Sequence, residues 1–163
     1  KLVGHYGKNE HGKNEMWVAP HFVPTSSPLS AIDDVFNGIM VEGNMLGTSL
    51  FYGKGAGSLP TASAVVSDVI EAVRFKETKP VWSERKADVT CDANGLTMSF
   101  FVRADGKGAE LYGKVVDAFG KPAVLSGEND EEIGFIASDI TKSELDEKLS
   151  AIGITPASVI RVL

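Results

Sequence analysis

The sequence predicts an α+β chain in two parts: a partial mixed-sheet domain followed by a β-α-β-β-α-β domain. Three observations carry this. Residues 51–75, FYGKGAGSLPTASAVVSDVIEAVRF, read as a strand, a glycine turn and a helix. The stretch from about residue 88 alternates strand-like and helix-like patterns in the order β-α-β-β-α-β. Between them, residues 76–87 are charged, carry Pro80, and offer only Val81 and Trp82 as apolar anchors. That stretch is the expected linker, with domains at 1–75 and 88–163 and Trp82 pinned against one of them.

In the first part, LVGHY (2–6) and MWVAPHFV (16–23) are strand-like, joined by a polar tract in which GKNE occurs twice around His11. Pro20 and Pro24 bracket the second run and point to a short or edge strand. His5, His11 and His21 lack any recognised ligand spacing, so no metal site is expected. TSSPLSAIDDVF (25–36) reads as a short helix capped by Ser27, with Pro28 first and Leu29, Ile32, Val35 and Phe36 on its apolar side. Asp33 and Asp34 are adjacent on that helix. Their side chains would diverge by about 100°, which makes a poor acid–base pair. A hairpin follows, 37–42 and 46–52 around Gly43-Asn44.

The hairpin feeds Gly53-Lys54-Gly55-Ala56-Gly57. The pattern is neither G-x-G-x-x-G nor a phosphate loop closed by Gly-Lys-Ser/Thr, so it does not hold a phosphate unaided. Two readings remain: a plain tight turn, or a turn whose bare N–H groups line a pocket completed elsewhere. Beyond it Ala62, Val65, Val66, Val69, Ile70 and Val73 form one face of a helix over 61–74, with Pro60 in the first turn and Ser58 or Thr61 as cap.

In the second part, strands are expected at 96–103, 121–126, 132–138 and 157–163, with a turn at Gly127 to Asp130. A first helix spans 109–119, with Leu111, Tyr112, Val115, Val116 and Phe119 inward. The second helix carries a capping box, Thr141 with Glu144, a staple of Ile140 on Leu145, and a Glu144–Lys148 pair. Leu145, Leu149 and Ile152 form its apolar side. These patterns imply one antiparallel sheet with both helices on one face. No catalytic constellation is evident, and Cys91 reads as an inert thiol.

Net charge of −6, without a basic cluster, excludes a nucleic-acid surface. A single cysteine forbids an intrachain disulfide and points to a reducing, cytoplasmic compartment. No apolar run nears the ~20 residues of a membrane span. The chain opens on KLVGHY without a starting Met, and we expect a fragment of a longer protein.

KLVG, VAPHFV, SPLSAIDDVFNGIMVEG and above all FYGKGAGSLPTASAVVSDVIEAVRF resemble the closing part of the catalytic region of homoserine dehydrogenase. The remainder, through its β-α-β-β-α-β order and RADGKG, resembles the ACT-like (ferredoxin-like) regulatory domain found in that family. The first part is then the end of a substrate domain. The resemblance implies an NAD(P)-dependent oxidoreductase interconverting L-homoserine and L-aspartate 4-semialdehyde in threonine, isoleucine and methionine biosynthesis. It implies cofactor contacts at Gly55, Ala56 and Gly57, beside the nicotinamide and substrate cleft, and a helix 61–74 that packs on a dinucleotide domain. The catalytic lysine and carboxylates of the family precede Lys1, so no catalytic residue is expected here and no cofactor bound to this piece alone. Lys54 and Ser27 depart from a proline and a histidine common in the family. In the second part, Asp105, Gly106, Lys107 and Gly108 fall on an effector-binding turn, with Lys107 in place of proline, which implies an amino-acid effector. A homo-oligomer is expected. The alternative is a non-catalytic amino-acid-sensing or dimerisation module.

Overall fold

The computed structural model describes residues 1–8, 12–75, 88–90, 93–126 and 131–163. His11, the linker 76–87 with Trp82, Cys91 and the turn at 127–130 lie outside the described residues. The described chain forms nine strands and three α-helices. They group as two compact units, Lys1–Pro24 with Asp88–Leu163, and Thr25–Ala87.

The first unit is built on one sheet. Its strands are β1 (Leu2–Lys8), β2 (Asn14–Phe22), the two-residue β5 (Val89–Thr90), β6 (Met98–Asp105), β7 (Ala123–Ser126), β8 (Glu132–Ile140) and β9 (Ser158–Val162). The order is β1-β2-β9-β6-β8-β7, with β5 alongside β2. Helices α2 (Gly108–Phe119) and α3 (Lys142–Ala151) interrupt β6, β7, β8 and β9 in the β-α-β-β-α-β sequence that the periodicities imply. Alternation on β6 sends Phe100, Val102 and Ala104 to the helix side, where they meet Ile133, Phe135 and Ala137 of β8 and Val115, Leu145 and Leu149 of the helices. Each fully buried Phe, Leu or Val there contributes about 1.5–3 kcal/mol.

The division by packing differs from the division by sequence. β1 and β2 pair antiparallel from Leu2–Pro20 to Lys8–Asn14. β2 then pairs in parallel with β9 through His21–Arg161 and Phe22–Val162. Residues 1–24 thus belong with the sheet of 88–163; β7, β8, β6 and β9 pair antiparallel as expected, and the parallel seating of β2 makes the whole sheet mixed. Backbone pairing across some 140 positions leaves no mark in local periodicity. Pro20, expected to bracket β2, lies within it. β9 engages only beyond that proline, so the missing N–H interrupts no bond to β9.

Ends and joints follow local chemistry. Thr141 and Glu144 form the capping box, with Glu144 N–H donating to Thr141 Oγ1 at 3.2 Å and Thr141 N–H to Glu144 Oε2 at 3.0 Å. Those bonds from Thr141 hold the Glu144 carboxyl below its usual range. The expected Glu144–Lys148 pair survives only as a weaker attraction of charge behind them. Lys148 instead donates to Ala118 O at 3.1 Å, at the negative end of α2, with its ammonium over the Phe119 ring. Gly120, at φ 77°, closes α2 in the left-handed region.

The second unit holds a hairpin and a helix. Strands β3 (Phe36–Gly43) and β4 (Gly47–Lys54) pair antiparallel around Asn44, Met45 and Leu46, with Gly47 at φ 73°. The helix expected over 25–36 shrinks to a four-residue 3-10 turn, Pro28–Ala31. Ser27 caps it as expected, accepting from Leu29 N–H at 3.3 Å. Asp33 and Asp34 lie beyond it, Asp34 at φ 54°, and Phe36 already belongs to β3, stacked on Tyr52. The chain has to enter β3 at Phe36, five residues after the turn ends at Ala31, which leaves little room for further helical turns.

Thr141→Ala should lower the stability of this chain by about 1 kcal/mol, the usual cost of a lost N-cap. The urea midpoint falls while the slope m is unchanged. Because the Glu144 carboxyl is held low, its contribution is present above its unfolded pKa and is lost as pH falls through the folded value. The gap between wild type and Thr141→Ala should therefore narrow on acidification. A gap independent of pH would contradict this account of the cap.

Candidate functional site

The glycine loop lies where β4 leaves the hairpin. Gly55 N–H donates to Val35 O at 3.0 Å, which ties the loop to the residue ahead of β3. The Cα of Gly55 faces the Asn37 amide so closely that a Cβ would overlap its Nδ2 and Cγ. Gly57 has φ 118° and is the N-cap of α1 (Ser58–Arg74), with no side-chain cap. The expected caps Ser58 and Thr61 are instead within the helix. That φ favours glycine, and glycine has no side-chain oxygen to offer. Thr61 N–H reaches Gly57 O at 3.1 Å, and Pro60 has no N–H to satisfy. The first-turn N–H groups of Ser58 and Leu59 stay open at the positive end of a seventeen-residue helix. Gly55, Ala56 and Gly57 are all exposed. Chemically this is a rim of bare backbone able to accept a phosphate, carboxylate or carboxamide oxygen without steric conflict. Lys54 does not crowd it with an ion pair; its ammonium lies over the Phe36 ring, 5.9 Å from the centroid.

The helix face expected from periodicity is present and uncovered. Val65, Val66, Val69, Ile70 and Val73 are 47–70% exposed, and no residue of α1 is buried.

The turn at Asp105-Gly106-Lys107-Gly108 joins β6 to α2. Gly106, at φ 139°, donates to Glu131 O at 2.7 Å, and a Cβ there would press on Leu111. Lys107 is the N-cap of α2 and makes no side-chain cap bond. The opening N–H groups of α2 are thus uncapped as well. Asp105 pairs across the ladder with Glu132, whose carboxylate is bound by Arg103 at 3.2 Å.

One grouping escaped the sequence reading. His5 and His21 both stack on Trp17, with centroids 4.9 and 4.8 Å away. Glu15 Oε1 lies 3.3 Å from His5 Nε2. These four residues and the segment 95–99 line a cavity of about 640 Å³. Glu15 Oε2 and Trp17 Nε1 are buried in it without a hydrogen-bond partner among the described residues. The alternation Glu15, Trp17, Ala19, His21 on one face of β2 was the available signal, but His5 joins it only through the β1–β2 register. A second cavity, of about 400 Å³, lies between the end of α2, β7, β8 and α3. Among the described residues no group of three His, Cys, Asp or Glu side chains could hold a metal ion. No helix among them is long and apolar enough to cross a membrane.

Comparison with known proteins bears on the loop directly. Residues 1–70 match the family model described as homoserine dehydrogenase. The homoserine dehydrogenase of Neisseria gonorrhoeae is 34% identical over 66% of this chain, and that of Bacillus subtilis is 42% identical over 45%. The chain spans 26% and 17% of those relatives' lengths. A crystal structure of Staphylococcus aureus homoserine dehydrogenase aligns with all of this chain at TM-score 0.70 and 28% identity, over 41% of its own length. The homoserine dehydrogenase structure from Thiobacillus denitrificans, 21% identical with TM-score 0.74, shares the fold.

Gly55→Ala should destabilise the second unit by about 1–3 kcal/mol, since the new methyl has to displace Asn37. Asn37→Ala in the same chain should recover most of that loss. A double-mutant cycle in urea measures the coupling. Strict additivity would show that the two positions do not meet.

Proposed function

We propose, from a chain whose residues 1–70 belong to the homoserine dehydrogenase family, that it is the part of an NAD(P)-dependent oxidoreductase that lines the nicotinamide and substrate cleft with bare backbone. The whole protein then interconverts L-homoserine and L-aspartate 4-semialdehyde in threonine, isoleucine and methionine biosynthesis, in the cytoplasm. The observation that carries this reading is the exposed rim at Gly55, Ala56 and Gly57, with only the Ala56 methyl on it and no side-chain cap on the helix that follows, inside the matched segment. The open N–H groups of Ser58 and Leu59 and the lack of a Cβ at Gly55 and Gly57 fit a nicotinamide cofactor held against a small polar substrate. Bound NADP or NAD supplies the hydride chemistry. This chain's residues bind and orient, and none of them is assigned a catalytic role.

In this reading 1–75 is the end of the substrate domain, 76–87 the linker and 88–163 an ACT-like regulatory domain. Asp105, Gly106, Lys107 and Gly108 form its effector turn. The uncapped start of α2 and Lys107 suit the carboxylate of an amino acid, and Asp105 suits its ammonium group. The whole protein is a homo-oligomer. Exposed apolar residues support that, on α1 and on the strand face bearing Leu2, Tyr6, Val18 and Phe22. The alternative, an amino-acid-sensing or dimerisation module without catalysis, draws on the complete core of the β-α-β-β-α-β sheet beside the uncovered α1.

The purified chain should give no NADP-linked oxidation of homoserine above background, because the dinucleotide domain and proton-handling residues implied by the resemblance are not in it. Turnover by this chain would overturn the assignment of its roles. In the full-length enzyme, Gly57→Ala should lower kcat about 100-fold, the scale of an ~1 Å misplacement in a reacting pair. Unchanged kcat in a variant of normal melting temperature would remove the loop from the cleft.

A further inference from the structure

β2 is joined to β9 by two residue pairs, His21 with Arg161 and Phe22 with Val162. Leu163 N–H adds a bond to Phe22 O at 3.0 Å, and Phe22 meets Phe101 edge-on. His21 sits in this seam 3% exposed. Its Nδ1 bonds to Ala19 O at 2.9 Å, and its ring stacks on Trp17. Arg161 stands opposite, its guanidinium over Phe100 and its Nε buried without a partner among the described residues. We propose that this seam is a pH-sensitive joint. Protonation of His21 sets an imidazolium against the Arg161 guanidinium in a buried site and loosens the pairing of β2 with β9.

The surroundings favour repulsion. β1 brings His5, which is already matched to Glu15 of β2. β9 brings Arg161. The segment 95–99, which lines the same cavity, has no titratable side chain, and the chain end at Leu163 lies there too. Burial first, then Arg161, holds the imidazole below its ordinary value near 6.5, against the pull of the Ala19 bond. A base with a depressed folded value stabilises the closed seam above about pH 6.5. That contribution is lost as pH falls from there towards the folded value, because the open state takes up the proton first. Acid therefore opens the joint, and residues 1–24 separate from the sheet of 88–163 before that sheet itself unfolds.

Amide hydrogen exchange on this chain between pH 5 and 8, expressed as protection factors, tests the proposal. Protection at Leu163 should be flat above pH 7 and fall by up to about tenfold per pH unit below 6.5, while the β6–β8 amides hold. His21→Phe keeps a ring against Trp17 and should give a flat profile. Arg161→Met should move the midpoint up towards 6.5, and His5→Phe should leave the wild-type profile as it is. Equal protection of the seam at pH 5 and pH 8 overturns the proposal. So does a His21→Phe profile that follows wild type. Should His21→Phe fail to fold, an unmoved midpoint in Arg161→Met is the overturning result.

Discussion

β6 is paired on both sides, with β8 and with β9, and its alternation fixes what every neighbour must do. Phe100, Val102 and Ala104 point to the helices and are almost wholly buried. Phe101, one residue out of phase, serves the other face, where it meets Phe22 and covers Gly134. A slip of one residue would exchange those faces and expose the core. The β8 partner absorbs a local irregularity opposite Met98–Phe100, where Asp139 takes a left-handed conformation, and so returns Ile140 to the core just ahead of α3. Placing β6 places β9, and β9 in turn is the template on which β2 is seated.

Three strand-to-helix joints in this chain use two different chemistries. The joint before α3 is closed by its own side chains, Thr141 and Glu144, and leaves few backbone donors for anything else. The joint before α1 is capped by the positive-φ Gly57 itself, and the joint before α2 sets the positive-φ Gly106 beside Lys107, whose side chain makes no cap bond. Closed joints suit helices whose task is packing. Leu145 and Leu149 on α3 are indeed among the most deeply buried residues of the molecule. Open joints cost stability locally and keep N–H groups available. They are the two turns, Gly55–Gly57 and Asp105–Gly108, to which the proposed function gives ligands.

Unequal burial follows from the same division. The β-α-β-β-α-β part covers one sheet face with its own helices and has a continuous core. The hairpin and α1 have no comparable core, and α1 keeps its apolar stripe exposed. A stripe of five β-branched residues is a costly surface to leave in water, at roughly 25 cal/mol per Å² of apolar area. The chain spans 41% of the length of the Staphylococcus aureus structure with which it aligns.

Local patterns by themselves determined a great deal here. Helical spacing marked α1, α2 and α3; Gly43-Asn44 marked the hairpin; Thr141-x-x-Glu144 marked a cap that the structure builds in full. Each of these is a contract between residues a few positions apart, which is why sequence can write it. The glycine loop was legible for the same reason, as a place without side chains, although its cap turned out to be Gly57 because positive φ excludes Ser58 and Thr61 from that position. Tertiary structure alone decided the rest. The seating of residues 1–24 on β9, the placing of Lys148 against α2, and the meeting of His5, Trp17 and His21 depend on backbone register between distant strands. Register is set by which faces can be buried together, a sum over the whole sheet that no single stretch of sequence contains.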